Sequence, residues 1–223
     1  RRRHTRYISV TGVQTCALPI LKTMVRGSAH IALQASLLEE EERRIGSTIE
    51  RPTSWMIARE LREYAMAQSI YVLSNFAKQS FIQAGVPENR LVLLPLGSEL
   101  GQFKASAQAH AARLQRIRRG ERLRELYVGN FSAQKGAADF ATVVRALGRR
   151  LQFRVVGAVA TEAQALARSM QPQVEMRGKV PHYELPAEYE WADLFFFPTI
   201  QDGYAMVLAQ AMASGLPLLA TTN

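Results

Sequence analysis

Short apolar runs alternate with segments of helical apolar spacing along the second half of the chain. The run Leu194-Phe195-Phe196-Phe197 is typical of a strand buried on both faces of a parallel sheet. Strands that alternate with helices imply right-handed crossovers. The pattern predicts a Rossmann-like α/β domain without its last elements over residues 123–223. Its strands are predicted at 126–128, 153–156, 174–176, 194–197 and 216–220, and its helices at 137–147, 161–170, 185–192 and from near Gly203 to 212.

The segment between the strand at 194–197 and the following helix has the residues of a turn. Pro198 ends the strand, and Asp202 and Gly203 precede the apolar positions that begin at Met206. A helix that starts near Gly203, at the carboxyl end of a buried strand, would point its free N–H groups into the crevice where open α/β sheets bind ligands. The sequence therefore predicts a phosphate-bearing ligand at this crevice.

A second glycine-bearing segment, residues 129–136, follows the first strand of the same domain. Gly129 allows the backbone to approach a ligand, and Lys135 adds a full positive charge near the start of the next helix. We predict that a diphosphate is held between this segment and the amides of Gly203 and Tyr204. Most lysines are surface residues without a specific function. The order of a strand, a glycine, a Lys-Gly pair and a helix nevertheless favours a binding role for Lys135.

The first half of the chain has a less regular pattern. It predicts helices at 21–46, 52–68 and 75–84 and strands at 69–73 and 91–94. Residues 105–122 are polar, basic and rich in alanine, which is typical of a linker. No aromatic residues for base stacking are interleaved with its arginines, so a solvated connector is favoured over a nucleic-acid surface; these arginines are Arg113, Arg116, Arg118, Arg119 and Arg122.

The first 20 residues have no recognisable protein pattern. Val10 to Ile20 can be written as the codons of a common short-read sequencing adapter, and Arg1 to Arg6 fit the outer end of that adapter. The alternative is a cleaved signal peptide, but Thr11 and Gly12 interrupt its apolar stretch. We interpret residues 1–20 as a non-native segment and the chain as a gene fragment.

Removing that segment changes the charge and the cysteine count. It contains four arginines and no acid, so the net charge of +9 becomes +5 for the remainder, and it contains the only cysteine, Cys16. No disulfide is then expected. No apolar run approaches the roughly 18 residues that span a bilayer, and no spacing of Cys, His or Asp suggests a metal site.

The residues from Asp202 to Asn223 resemble the signature of the retaining glycosyltransferases of family 4, which have the two-domain GT-B fold. The resemblance rests on Asp-Gly-Tyr at 202–204, Ala-Met-Ala-Ser-Gly-Leu-Pro at 211–217 and Ala-Thr-Thr-Asn at 220–223. Residues 73–76 and 95–103 are similar to the end of the N-terminal domain and the linker of the same family. The resemblance implies an α/β chain of GT-B type with two incomplete Rossmann-like domains, divided as 21–98 (acceptor domain), 99–122 (linker) and 123–223 (nucleotide-sugar domain).

The resemblance also assigns roles to individual residues. The family has two glutamates eight positions apart, which correspond here to Asp202 and Gln210; Asp202 would contact the transferred sugar and Gln210 the ribose hydroxyls. If both were helical they would lie about 80° apart around the axis. Asn130 replaces a phosphate-binding arginine, which should weaken phosphate binding. The full set of predicted donor-binding residues is Gly129, Asn130, Lys135, Val180, Thr199, Asp202, Gly203, Tyr204 and Gln210, with Asp202 and Lys135 as the catalytic residues.

The implied activity is transfer of a sugar from a nucleotide diphosphate sugar to an acceptor hydroxyl, with retention and without a metal or other cofactor. The acceptor would be a glycan, a lipid-linked molecule or a small molecule, and no nucleic acid is expected as a partner. The implied location is the cytoplasm, with the inner face of the membrane as an alternative, reached through the N-terminal domain. Two other functions stay open: a nucleotide-sugar epimerase of the same fold, and a non-catalytic domain in which Asp202, Gln210 and Asn130 have drifted.

Overall fold

The computed structural model describes residues 22–97 and 99–222, so the interpretation of residues 1–20 lies outside the described part of the chain. The contacts divide the described residues into two units. The first contains residues 22–39, 51–96 and 201–204, and the second contains residues 40–50, 97–200 without Ser98, and 205–222. Each unit is described separately below.

The first unit is built on a three-stranded parallel sheet of order β1-β2-β3. Its buried core includes Met24, Ile70 and Phe81, and the aromatic rings of Tyr64 and Phe81 contact each other edge to face. The strands are β1 (Thr23–Arg26), β2 (Ser69–Val72) and β3 (Leu91–Leu93), and the helices are α1 (Ile31–Ile45), α2 (Ser54–Met66) and α3 (Asn75–Gln83). The residues of α1 from Glu40 onward group with the second unit.

The prediction of one helix over residues 21–46 is wrong for residues 22–30. Thr23–Arg26 is the strand β1, which pairs with β2, and the helix begins only at Ile31. Met24 and Arg26 are buried while Val25 is exposed, which is the alternation of a strand. Four residues are too few for this period to be separated from the helical pattern that follows.

The second unit is a five-stranded parallel sheet of order β6-β5-β4-β7-β8 with helices packed on it. The strands are β4 (Leu123–Val128), β5 (Leu151–Val156), β6 (Val174–Gly178), β7 (Leu194–Phe197) and β8 (Leu218–Ala220). The helices are α4 (Ala107–Arg118), α5 (Ala137–Leu147), α6 (Gln164–Ser169), α7 (Leu185–Trp191) and α8 (Met206–Ala213). Within the two described ranges, no helix combines the length and apolar composition needed to cross a bilayer.

Aromatic side chains form the centre of the second core. Tyr127 on β4 contacts Phe131, Phe140 and Phe197 at centroid distances of 5.5 to 5.6 Å. Edge-to-face and tilted ring pairs of this kind stabilise a core beyond the area that they bury. The core thereby fixes β4, α5 and β7 relative to one another, and these three elements carry the candidate site.

Helix α4 is part of the second unit, and two of its arginines are structural. Arg113 is 5% exposed and donates to the carbonyl oxygens of Tyr189, Ala192 and Ser214 at 2.7 to 2.9 Å. Burial lowers the pKa of its guanidinium. Arg116 forms a bidentate pair with the carboxylate of Asp193.

The expectation of a solvated connector is therefore wrong for these two residues. It holds for the side chains of Arg118 and Arg119, which are exposed, whereas the exposed Arg122 donates to the carbonyl oxygens of Gly148 and Leu151. Burial of Arg113 is possible because its planar group satisfies several carbonyl oxygens at once. A sequence count of charges could not distinguish the two kinds of arginine.

Glu125 is an unusual buried charge in the middle of the second sheet. It lies on β4 between Phe153 of β5 and Leu194 of β7 in register, and it is 1% exposed. Both of its carboxylate oxygens lack a hydrogen-bond partner among the described residues. Burial raises the pKa of this carboxyl well above its ordinary value, so its environment favours the neutral form over the charged one.

Glu125→Gln should change how stability depends on pH. Because the pKa of this carboxyl is raised in the folded state, the unfolded carboxyl, with a pKa of about 4.3, loses its proton at a lower pH than the folded one. As the pH rises above that value, the free energy of unfolding of the wild type should therefore fall by up to about 1.4 kcal/mol per pH unit relative to that of the variant. Urea unfolding from pH 4 to pH 8 measures this difference. Glu99→Gln, at an exposed position, is the control, and a constant difference between Glu125→Gln and wild type would contradict the prediction.

Arg113→Ala should destabilise the second unit by about 2 to 4 kcal/mol, because it leaves buried carbonyl oxygens without donors. Thermal and urea unfolding measure the loss. Arg118→Ala removes an exposed arginine from the same helix and should change stability by less than about 0.5 kcal/mol. Equal effects of the two variants would show that the buried guanidinium does not hold the helix.

Candidate functional site

The strand order of the second sheet reverses direction next to β4. From β4 the chain moves to β5 and β6 on one side, and it then returns to β7 and β8 on the other. Because all strands are parallel, the segments that follow β4 and β7 leave the sheet from the same edge at this reversal. Such a switch point is where open α/β sheets bind ligands.

The β4–α5 loop is fixed by hydrogen bonds to its backbone. The Ser132 hydroxyl accepts from the Lys135 amide at 3.3 Å, and the Tyr127 hydroxyl lies 3.0 Å from the carbonyl oxygen of Asn130 and 3.2 Å from that of Lys135. The Lys135 Nζ lies 6.0 Å from the centre of the Phe197 ring. As predicted, Lys135 comes just before a helix, since α5 begins at Ala137.

The loop after β7 touches the loop after β4 directly. The Ile200 amide donates to the Gln134 carbonyl oxygen at 2.9 Å, and the Thr199 hydroxyl donates to the same oxygen at 3.3 Å. Gly136 has a φ of +78°, and a Cβ at this position would lie 1.8 Å from the Pro198 carbonyl oxygen. Glycine is therefore required at 136 for both conformation and space.

The loop after β5 packs against the first loop through a second close approach. A Cβ at Gly157 would lie 1.9 Å from the carbonyl oxygen of Gly129. The Gly157 amide donates to the carbonyl oxygen of Gly178 at the end of β6. Val180, predicted at the donor site, follows β6 and is half-buried against the core. The structure thus places Gly129, Asn130, Lys135, Val180 and Thr199 after strands that end at one edge of the sheet.

The segment Gln201–Tyr204 groups with the first unit, and its geometry corrects the predicted helix start. Helix α8 begins at Met206 after Ala205, not near Gly203. The carboxylate of Asp202 accepts from the Tyr204 amide at 3.2 Å, so Asp202 closes a turn instead of capping the helix. The Tyr204 amide is therefore engaged within the turn, contrary to the prediction that it is free to bind a diphosphate.

Gln210 lies in α8 and Asp202 precedes that helix, so the condition under which the two would lie about 80° apart around one axis is not met. Gln210 is 5% exposed, and its amide oxygen accepts from the Tyr189 hydroxyl at 2.9 Å. Its Nε2 makes no hydrogen bond with the described residues, which leaves a donor for the predicted ribose contact. The predicted sugar and ribose roles of Asp202 and Gln210 stay predictions.

Among the described residues, an apolar cavity lies beside the β4–α5 loop. An apolar cavity of about 420 Å³ is lined by Ala133, Ala137, Ile49 and Leu166, among others. Its lining is unsuited to a charged diphosphate, although two of its residues flank Lys135. Among the described residues, no group of three His, Cys, Asp or Glu side chains could hold a metal ion.

Sequence reasoning did not identify Gly136 and Gly157 as structural requirements of this edge. The Lys-Gly pair and the single Gly157 were visible, but only the fold shows which carbonyl oxygen each glycine meets. Gln201 was also missed. It is fully buried, and its side chain donates to Ser28, which lay inside the helix predicted for residues 21–46.

Comparison with known proteins identifies what this arrangement resembles. Residues 122–223 match the family model of glycosyl transferases group 1. A curated relative, the 2-deoxystreptamine N-acetyl-D-glucosaminyltransferase of Niallia circulans, is 29% identical over 105 residues, which are 44% of this chain and 27% of the relative. The segment with the candidate site is thus the segment that resembles glycosyltransferases.

Solved structures show the same fold. Anabaena Alr3699/HepE in complex with UDP-glucose has a TM-score of 0.61 and 17% identity, over 76% of this chain and 50% of that chain. Sucrose-phosphate synthase from Thermosynechococcus elongatus has a TM-score of 0.65 and 21% identity, over 90% and 50%. These similarities confirm the predicted α/β fold of GT-B type. The chain spans about half the length of these solved proteins.

Gly136→Ala should destabilise the second unit by about 3 kcal/mol or more, because the new methyl group would overlap the Pro198 carbonyl oxygen and the backbone would have to move. Gly120→Ala is the matched control. Gly120 has a φ of +63° and open space around it, so this substitution adds only conformational strain of about 1 to 2 kcal/mol. Urea unfolding compares the two variants, and equal losses would refute the steric requirement.

Proposed function

We propose that the protein to which this chain belongs transfers a sugar from a nucleotide diphosphate sugar to an acceptor hydroxyl, with retention at the anomeric carbon. The observation that carries this proposal is the position of Lys135. It lies in a glycine-bearing loop at the switch point of a parallel sheet, within residues that match a glycosyltransferase model. Ligands bind at such switch points in open α/β sheets.

The chemistry depends on stabilising a leaving diphosphate. As the bond from the anomeric carbon to the diphosphate breaks, negative charge grows on the phosphate oxygens. A lysine held at a fixed place before a helix can stabilise that charge, and preorganised electrostatics of this kind is usually the largest contribution to catalysis. The hydrogen bonds to the Lys135 backbone hold the loop in place before the donor arrives.

The remaining donor contacts come partly from the family resemblance. Asp202 would contact the transferred sugar and Gln210 the ribose. From their places after strands of the second sheet, Val180 would frame the base and Thr199 would lie close to the phosphates, as would Gly203. No metal or other cofactor is part of this proposal. Asn130 lacks the charge of the family arginine, and the proposal therefore includes weaker phosphate binding at that position.

The names of similar proteins support the donor class. Structures of similar proteins contain UDP and glucose, UDP-glucose, or UDP and GlcNAc. The acceptor would be a glycan, a lipid-linked molecule or a small molecule. We place the reaction in the cytoplasm or at the inner face of the membrane, where an N-terminal domain would make a peripheral contact.

A second candidate function is a non-catalytic domain that has kept the fold. The observation that favours it is the departure of Asn130, Asp202 and Gln210 from the family pattern. Donor hydrolysis in the absence of acceptor distinguishes the two, because only an enzyme releases the nucleotide diphosphate. Epimerase activity, the other alternative, would convert the donor sugar without any acceptor.

Lys135→Ala should weaken binding of a nucleoside diphosphate by about 10- to 100-fold, the range expected for loss of one charge-assisted hydrogen bond. Isothermal titration with UDP, GDP and ADP measures the affinities. Lys104→Ala removes an exposed lysine of the same unit and should leave them unchanged. Equal affinities of Lys135→Ala and wild type for the nucleotide that binds best would remove Lys135 from the site.

A further inference from the structure

The β1–α1 loop, residues 27–30, is held rigidly by buried hydrogen bonds within the first unit. Arg26 is 5% exposed, donates to the carbonyl oxygen of Ala29 at 3.2 Å and forms an ion pair with Glu60 at 3.1 Å. At the other end of the loop, the His30 amide donates to the Ser80 hydroxyl at 2.8 Å. The loop is thus fixed at both ends by groups that water does not reach.

This loop contacts the segment Gln201–Tyr204, which belongs to the same unit. Gln201 is fully buried, and its Nε2 donates to the Ser28 hydroxyl at 2.7 Å. At Gly203, a Cβ would lie 2.0 Å from the carbonyl oxygen of Gly27. The backbone of one loop therefore lies directly on the backbone of the other, with a side-chain hydrogen bond beside the contact.

We propose that Ser28 is a positioning residue for the donor site, and that the rigid β1–α1 loop sets the conformation of Gln201–Tyr204. The inference rests on the proposed function, in which Asp202 and Gly203 lie against the sugar and the diphosphate. Ser28 itself does not contact the donor; it acts through Gln201, one residue before Asp202. Because Gly203 has no side chain, the two loops can approach closely enough for this hydrogen bond to form.

The position of Ser28 predicts a selective effect on ligands. If the Gln201–Tyr204 segment lost its fixed conformation, the protein would bind the second phosphate and the sugar of the donor more weakly. In the proposed function, this segment contacts the sugar and the diphosphate, and the nucleoside is bound by other residues. Loss of the hydrogen bond from Gln201 should therefore weaken binding of the nucleotide diphosphate sugar and leave binding of the matching monophosphate unchanged.

The experiment titrates the full 223-residue chain with UDP-glucose, GDP-glucose and ADP-glucose and with UMP, GMP and AMP. For the best-bound nucleotide, Ser28→Ala should weaken binding of the diphosphate sugar about fivefold, the factor for one neutral hydrogen bond, with no change for the monophosphate. Ser28→Thr keeps the hydroxyl and should restore affinity. Ser54→Ala, at an exposed serine of the same unit, is the matched control.

Gln201→Leu removes the other partner of the hydrogen bond and should weaken binding at least as much, because Gln201 also makes a further interaction. Adding Ser28→Ala to Gln201→Leu should cause no further loss. Additive losses, no loss in Ser28→Ala, or equal losses for both ligands together with a lower unfolding midpoint would each overturn the positioning role. A wild-type chain that binds none of the six ligands would instead refute the proposed function, and the inference would fail with it.

Discussion

At the carboxyl edge of the second sheet, the backbone at two glycines lies so close to neighbouring carbonyl oxygens that no residue with a Cβ would fit. A Cβ added at Gly136 or Gly157 would lie 1.8 or 1.9 Å from the carbonyl oxygen of Pro198 or Gly129, respectively. These two contacts join the loops after β4, β5 and β7 into one layer of backbone at the switch point. This layer fixes the position of Lys135, so the positive charge of the proposed site depends on the close packing at the two glycines.

Buried arginines perform the same structural task in both units. Arg26 donates to a carbonyl oxygen of the β1–α1 loop and pairs with Glu60. Arg113 donates to carbonyl oxygens at the ends of α7 and α8. A guanidinium group suits this task because its donors are fixed in a plane and can satisfy several acceptors together. Helix ends and loops, which carry otherwise unpaired carbonyl groups, can then be buried without a loss of hydrogen bonds. The two units thus obtain rigid loops without extending their apolar cores.

Much of the second unit could be predicted from its sequence, because its apolar periods are long and agree with its turn residues. The helix predicted over 137–147 has those bounds, and the strand over 194–197 is β7. Strand β1 was missed because an alternation over four residues is too short to be recognised. The start of α8 was misplaced because the segment Gln201–Tyr204 takes its conformation from contacts with residues far away in the chain. The burial of Arg113 likewise depends on carbonyl groups that sequence patterns do not reveal.

The environment of Gln210 bears on whether the candidate site is adapted or decayed. Its side chain is buried and accepts a hydrogen bond from Tyr189, whose hydroxyl is itself buried and has a raised pKa. A carboxylate at this position would have to lose its hydration beside a phenol that stays neutral, whereas an amide accepts the same hydrogen bond without burying a charge. Glutamine also keeps a donor, at Nε2, for a ribose hydroxyl. A glutamine in place of the glutamate of the family that this sequence resembles would thus avoid a cost of burial and keep the hydrogen bonds that the proposed ribose role requires, which favours an adapted site over a decayed one.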